Sequence, residues 1–158
     1  MSESIIDIGI DEADRHAIAG GLSRLLADTY TLYLKTQGYH WNVTGSMFRA
    51  LHLMFEEEYI DLRDAADLLA ERIRSLGYAA PASFSEFVRL ASVPDEEGAP
   101  EAMEMVRKLV HGHEAVIRTA REVVAKAEEG GDVATADLVT SRIEVHEKTA
   151  WMLRATGS

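Results

Sequence analysis

A chain of 158 residues with 47% apolar and 27% charged residues has the size and composition of one compact domain rather than two catalytic ones. With 16 Lys and Arg against 27 Asp and Glu, the formal net charge is −11, which points away from nucleic-acid phosphates and anionic membranes and toward cations. The absence of cysteine excludes disulfides, zinc ribbons, thiol catalysis and thiolate iron–sulfur ligation, so any metal has to be held by nitrogen and oxygen.

Residues 1–9 carry Glu3 and Asp7 but no Lys, Arg or long apolar core, so neither a secretory signal nor a transit peptide is expected. No apolar run approaches the roughly 20 residues of a bilayer span, and a cytoplasmic location is the default expectation. Ile18, Leu22, Leu25, Thr29 and Leu32 recur at steps of four and three and predict a first helix over about 11–37. Residues 38–45 interrupt the pattern. Phe48, Leu51, Phe55, Tyr59, Leu62, Ala66, Leu69, Ile73 and Leu76 then carry it to Gly77, a second helix near 45 Å long at about 1.5 Å per residue.

The three prolines, Pro81, Pro94 and Pro100, fall together and divide the chain into two proline-free halves. Between them, Ser83-Phe84-Ser85-Glu86 is a capping-box pattern that predicts a short helix inside the crossover. A third long helix, with Val106, Leu109, His113 and Val116 inward, runs from about Pro100 to the Gly130-Gly131 pair. Asp132 then caps a fourth, whose inward face is Ala136, Val139, Ile143, His146, Ala150 and Leu153. The expected fold is all-α and one domain over 1–158. Four long helices with one long crossover between the second and third give ferritin-like connectivity, with a short extra helix in the crossover. A four-helix bundle of another family stays open, because periodicity does not fix handedness.

Four polar residues on the second helix border its apolar seam: His52, Glu56, Asp67 and Glu71. Two i,i+4 pairs, His52/Glu56 and Asp67/Glu71, each place two potential metal ligands on one face. Such pairs are also common on solvated helices. His52 and Asp67 are 15 residues apart, roughly 22 Å along a straight helix, so no single ion touches both pairs. Two copies of this helix packed antiparallel about a two-fold axis near 60–62 would bring the pairs together. Mixed imidazole and carboxylate donors suit iron, manganese or zinc better than calcium or magnesium. His40, twelve residues before His52 at the end of the first helix, is placed to add a second imidazole. The Glu56-Glu57-Glu58 run reads as a solvated edge with only Glu56 on the stripe. His111 and His113 project to different faces, His146 reads as a hydrogen-bonded core histidine, and His16 as exposed.

His40-Trp41-Asn42-Val43-Thr44-Gly45, then Phe48, His52, Phe55-Glu56, Tyr59, Asp67 and Ala70-Glu71-Arg72-Ile73, resemble the signature of the Dps family of mini-ferritins. The ending His146-Glu147-Lys148-Thr149-Ala150-Trp151 is similar as well. The resemblance implies a homo-oligomer, a hollow dodecamer built from two-fold dimers. It would bind iron between subunits, oxidise Fe²⁺ preferentially with hydrogen peroxide over dioxygen, and store a ferric mineral. It assigns His40, His52 and Glu56 to one subunit's share of the site and Asp67 and Glu71 to that of its mate. Members commonly have Asp where this chain has Glu56, so the carboxylate sits on a longer arm. The resemblance gives Trp41 a role in quenching oxidising equivalents, against a plain packing role at a bundle end. Glu128, Asp132 and Asp137 correspond to acidic residues lining cation-entry pores, with helix capping as the other reading of Asp132 and Asp137. A nucleoid-structuring, DNA-binding role is the competing function, and neither residues 1–4 nor 155–158 supply the Lys- or Arg-rich tail it uses. No Glu-x-x-His pair occurs, which disfavours a di-iron centre inside one bundle.

Overall fold

Apolar stripes spaced three and four residues apart have to be buried against one another, and in the computed structural model, which describes residues 5–158, they form an antiparallel bundle. Its helices are α1 (Glu12–Asn42), α2 (Phe48–Ser75), the short α3 (Phe84–Leu90), α4 (Ala102–Glu129) and α5 (Val133–Thr156). No strand occurs among the described residues. Residues 1–4, part of the stretch read for a signal or a basic tail, lie outside them. Helix α1 packs along both α2 and α4, α5 packs on α4, and α3 lies across α1. The seam is closed by fully buried Leu22, Leu25, Leu32, Phe55, Leu62, Leu109 and Val116.

Helix α1 runs five residues past the expected end at 37 and passes through Gly38 without a break. A helical glycine costs only about 1 kcal/mol, and the burial of Tyr39 and His40 in the next turn outweighs it. The reversal comes instead at 43–47, where Gly45 adopts φ +107°, a conformation that disfavours any side chain. This extension puts His40 on the last turn of a rigid helix.

The crossover is tied down by Asp28, a fully buried carboxylate of α1. It accepts from Ser92 N (2.5 Å), Ser92 Oγ (2.8 Å), Val93 N (3.0 Å) and Thr119 Oγ1 of α4 (2.6 Å). The capping box forms as expected: Ser83 Oγ accepts from Glu86 N, and Glu86 Oε2 accepts from Ala82 N and Ser83 Oγ.

Helices α2 and α5 are bridged by two arginines. Arg72 of α2 donates to Asp132 Oδ1 and Thr135 Oγ1 at the start of α5, both at 2.8 Å. Arg142 of α5 grips Asp61 of α2 through two bonds of 3.0 and 2.7 Å. Asp132 also caps α5 by accepting from Thr135 N. Asp132→Ala removes that cap and the carboxylate partner of Arg72, so it should lower stability by more than the ~1 kcal/mol of a cap alone. The shift of the urea midpoint measures this.

Candidate metal centre

His40 and His52 meet across the α1–α2 turn as a stacked pair, with ring centroids 3.8 Å apart and planes 14° from parallel. His40 Nδ1 lies 2.7 Å from the carbonyl oxygen of His52, and His52 Nδ1 lies 2.7 Å from that of His40. A carbonyl oxygen only accepts, so each Nδ1 donates, and in the neutral ring the lone pair is at Nε2. Fixing the tautomer and ring orientation through the other nitrogen is how proteins prepare a metal-ligating histidine. Sequence spacing suggested the two residues but not this reciprocal lock, which depends on the longer α1.

Glu56 sits one turn beyond His52 on α2 and is half-buried. Asp67 and Glu71 are exposed further along the same helix. Asp67 lines an open groove of about 810 Å³ between α2 and α3, together with Arg63, Asp64, Phe84 and Phe87. Among the described residues, no three His, Asp or Glu side chains gather around one point of a single chain. Between the two carboxylate-bearing ends, α2 exposes an apolar stripe of Leu53, Ile60 and Leu68, 38–51% accessible. Its middle residue, Ile60, falls at the midpoint of His52 and Asp67. Trp41, next to His40 in sequence, is 62% exposed.

Of the acidic residues at the α4–α5 junction, Glu128 and Asp137 are exposed. The Asp132 carboxylate is buried, with Arg72, Thr135 N and Thr135 Oγ1 as partners, the capping arrangement.

The Glu56-Glu57-Glu58 run differs from a solvated edge. Glu58 turns inward, because it follows Phe55 by three and precedes Leu62 by four on the buried face. Burial, and then the charge of Glu57, push its carboxyl up to about 8, so it holds a proton at neutral pH.

Spacing placed His113 and His146 inward, and their burial agrees, but their pairing was not apparent from it. His113 of α4 and His146 of α5 are buried with their Nδ1 atoms 2.9 Å apart, and Arg142 Nη2 lies 3.3 Å from His146 Nε2. Arginine only donates, so His146 accepts at Nε2, donates from Nδ1 to His113, and leaves a buried, unpartnered Nε2–H on His113. One signal was available: Arg142 and His146 are an i,i+4 pair flanking inward-facing Ile143. Burial first, then Arg142, lowers the His113 pKa to about 3. Burial, then His113 and Arg142, also lowers that of His146 well below the usual 6.5.

Both imidazoles are therefore neutral in the folded protein, and the unfolded chain binds more protons below its ordinary value of 6.5. Stability is fully present above that pH. It should fall as pH drops from 6.5 toward 3, by at most about 1.4 kcal/mol per pH unit for each histidine. Urea midpoints at several pH values in that window check this, with a shallower fall expected for His113→Leu/His146→Leu.

Comparison with known proteins bears on the family and the fold. The ferritin-like domain family matches residues 19–157. An uncharacterised low-temperature-induced protein of Nostoc is 41% identical over 152 residues, covering 95% of this chain and 85% of its own. The DNA protection during starvation protein of Porphyromonas gingivalis is 34% identical over 147 residues, covering 93% and 92%. The crystal structure of the Dps protein of Vibrio cholerae, described as a member of a broad superfamily of ferritin-like diiron-carboxylate proteins, superposes with a TM-score of 0.94. It is 34% identical, over 99% of this chain and all of that one. Bundle and matches together define a ferritin-like protein. Within that class, the chain belongs to the Dps family. No helix of the described residues is long and apolar enough to cross a membrane.

Proposed function

We propose that two copies of this chain build iron-oxidising sites between them, with His40, His52 and Glu56 from one subunit and Asp67 and Glu71 from its mate. The observation that carries the reading is the reciprocal His40–His52 lock, which holds both rings through Nδ1 and leaves both Nε2 atoms available to a metal, with Glu56 one turn further along α2. Iron is the substrate. Carboxylate oxygens favour the more highly charged Fe³⁺ over Fe²⁺, so the donor set draws the metal toward oxidation. Hydrogen peroxide is the preferred oxidant: two Fe²⁺ and one peroxide, with two protons, give two Fe³⁺ and two waters. Both reagents of hydroxyl-radical chemistry are thus consumed together. The ferric product is stored as mineral inside a hollow dodecamer in the cytoplasm, and this detoxification protects the cell from oxidative damage.

The Leu53–Ile60–Leu68 stripe supports the pairing, because an apolar face of this kind on a lone chain is the signature of a contact surface. An antiparallel partner centred on Ile60 sets its Asp67 and Glu71 opposite His52 and Glu56. Exposed Glu128 and Asp137 give the shell a negative rim that concentrates cations. Crystals soaked anaerobically in Fe²⁺ test the reading: anomalous density at the two-fold interface, between His52 and Asp67 of the partner subunit, is expected. Interfaces empty of metal would contradict it.

A further inference from the structure

The stacked histidines have unlike aromatic neighbours on their two sides. The ring of His52 lies against Phe48, with centroids 5.1 Å apart, and a phenyl ring does not give up an electron under biological conditions. The ring of His40 is met edge-on by Tyr59 of α2, at 5.1 Å and 71°. From Tyr59 the contacts continue without a gap to Tyr33 of α1 (6.1 Å, 56°) and on to Tyr30, one turn back (5.5 Å, 77°). The series ends there, because the next ring, stacked on Tyr30 at 4.9 Å, is Phe87 of α3. Tyr30 opens on the surface, lining both the 810 Å³ groove beside Asp67 and a second groove of about 390 Å³. Edge-to-face and tilted contacts at these separations are ordinary packing geometry, and here they join three oxidisable phenols in an unbroken line from the His40 imidazole to the surface. All three are half-buried, and none of their hydroxyls bonds to another group among the described residues, so a phenol proton can leave to water.

We propose that Tyr59, Tyr33 and Tyr30 form a one-electron relay that carries oxidising equivalents from the His40 side of the iron site to the open groove at Tyr30. The proposal rests on the iron-oxidising reading and adds to it. A site holding a single Fe²⁺ supplies one electron to hydrogen peroxide, which needs two. Tyr59 supplies the other: Fe²⁺, hydrogen peroxide and one tyrosine give Fe³⁺, hydroxide, water and a neutral tyrosyl radical, and no free hydroxyl radical is released. Tyr33 then passes a hydrogen equivalent to the Tyr59 radical, and Tyr30 to Tyr33, so the vacancy moves outward one residue at a time. At Tyr30 a diffusible thiol entering the groove returns the hydrogen atom and leaves as a thiyl radical.

The test uses the full-length protein, loaded anaerobically with one Fe²⁺ per site, mixed with hydrogen peroxide and freeze-quenched for electron paramagnetic resonance. Ferric absorbance is followed in parallel. A tyrosyl signal is expected. Tyr59→Phe should reduce it several-fold and raise the yield of spin-trapped hydroxyl radical. Tyr33→Phe should keep a tyrosyl radical but make it slow to disappear when glutathione is added, because the path to Tyr30 is cut. A tyrosyl yield that is the same in Tyr59→Phe, or a tryptophanyl signal abolished by Trp41→Phe, would overturn the relay while ferric absorbance stays normal. Loss of ferric absorbance in the wild type would instead sink the iron reading, and the relay with it.

Discussion

Alanine at His52 or at Asp67 is expected to slow peroxide-driven Fe²⁺ oxidation, each by more than the roughly 10–100-fold that loss of an outer-shell partner alone brings. His52→Ala removes a ligand, the ring stacked on His40 and the Nδ1–H bond to the His40 carbonyl, so it loosens the neighbouring ligand as well. Asp67 is exposed and makes no side-chain bond within its own chain among the described residues. Its replacement should therefore leave stability within about 0.5 kcal/mol of the parent, and a loss of iron oxidation there reports on the site rather than on folding. Stopped-flow ferric absorbance with matched urea midpoints makes the comparison. An unchanged rate in either variant counts against the ligand set.

The largest stability effect is expected at Asp28. Asp28→Ala leaves two backbone N–H groups of the crossover and the hydroxyls of Ser92 and Thr119 without their acceptor; Val93 is buried and Thr119 half-buried, while Ser92 is exposed to water. The stranded Val93 N–H costs about 1–3 kcal/mol and the part-buried groups, which water can reach, add less each, so a loss of about 2–4 kcal/mol follows. Asp28→Asn keeps one accepting oxygen but turns an NH₂ toward donors, and should fall between alanine and the parent. Urea midpoints rank the three proteins. A near-neutral Asp28→Ala would mean that the crossover is held by packing of Phe87 and Val93 rather than by this carboxylate.

What the sequence discloses and what it hides divide along one physical line. Helix periodicity is local, so Leu22, Leu25, Phe55 and Leu62 reveal the bundle, Ser83 and Asp132 reveal two helix starts, and the clustered prolines reveal the crossover. The ligand candidates His52, Glu56, Asp67 and Glu71 were legible for the same reason, since all four lie on one helix. Contacts between elements are not local. The Asp61–Arg142 bridge, the His113–His146 pair and the tyrosine line from His40 each join residues by way of three-dimensional packing, whereas the inward turn of Glu58 follows from the spacing of Phe55 and Leu62 and was missed within a run of three glutamates. Gly38 shows the other limit: its weak local preference against helix is overridden by the burial of Tyr39 and His40, and the length of α1 follows from tertiary structure.

The most direct measurement mixes two inactive chains. His52→Ala and Asp67→Ala subunits, each unable to oxidise iron alone, are dissociated together and reassembled, and peroxide-driven ferric absorbance is recorded. Random pairing gives unlike chains in about half of the two-fold dimers, and each such dimer holds one site with all its ligands intact, so roughly a quarter of the parental rate should return. A mixture as inactive as its two parents would mean that no site is shared between subunits.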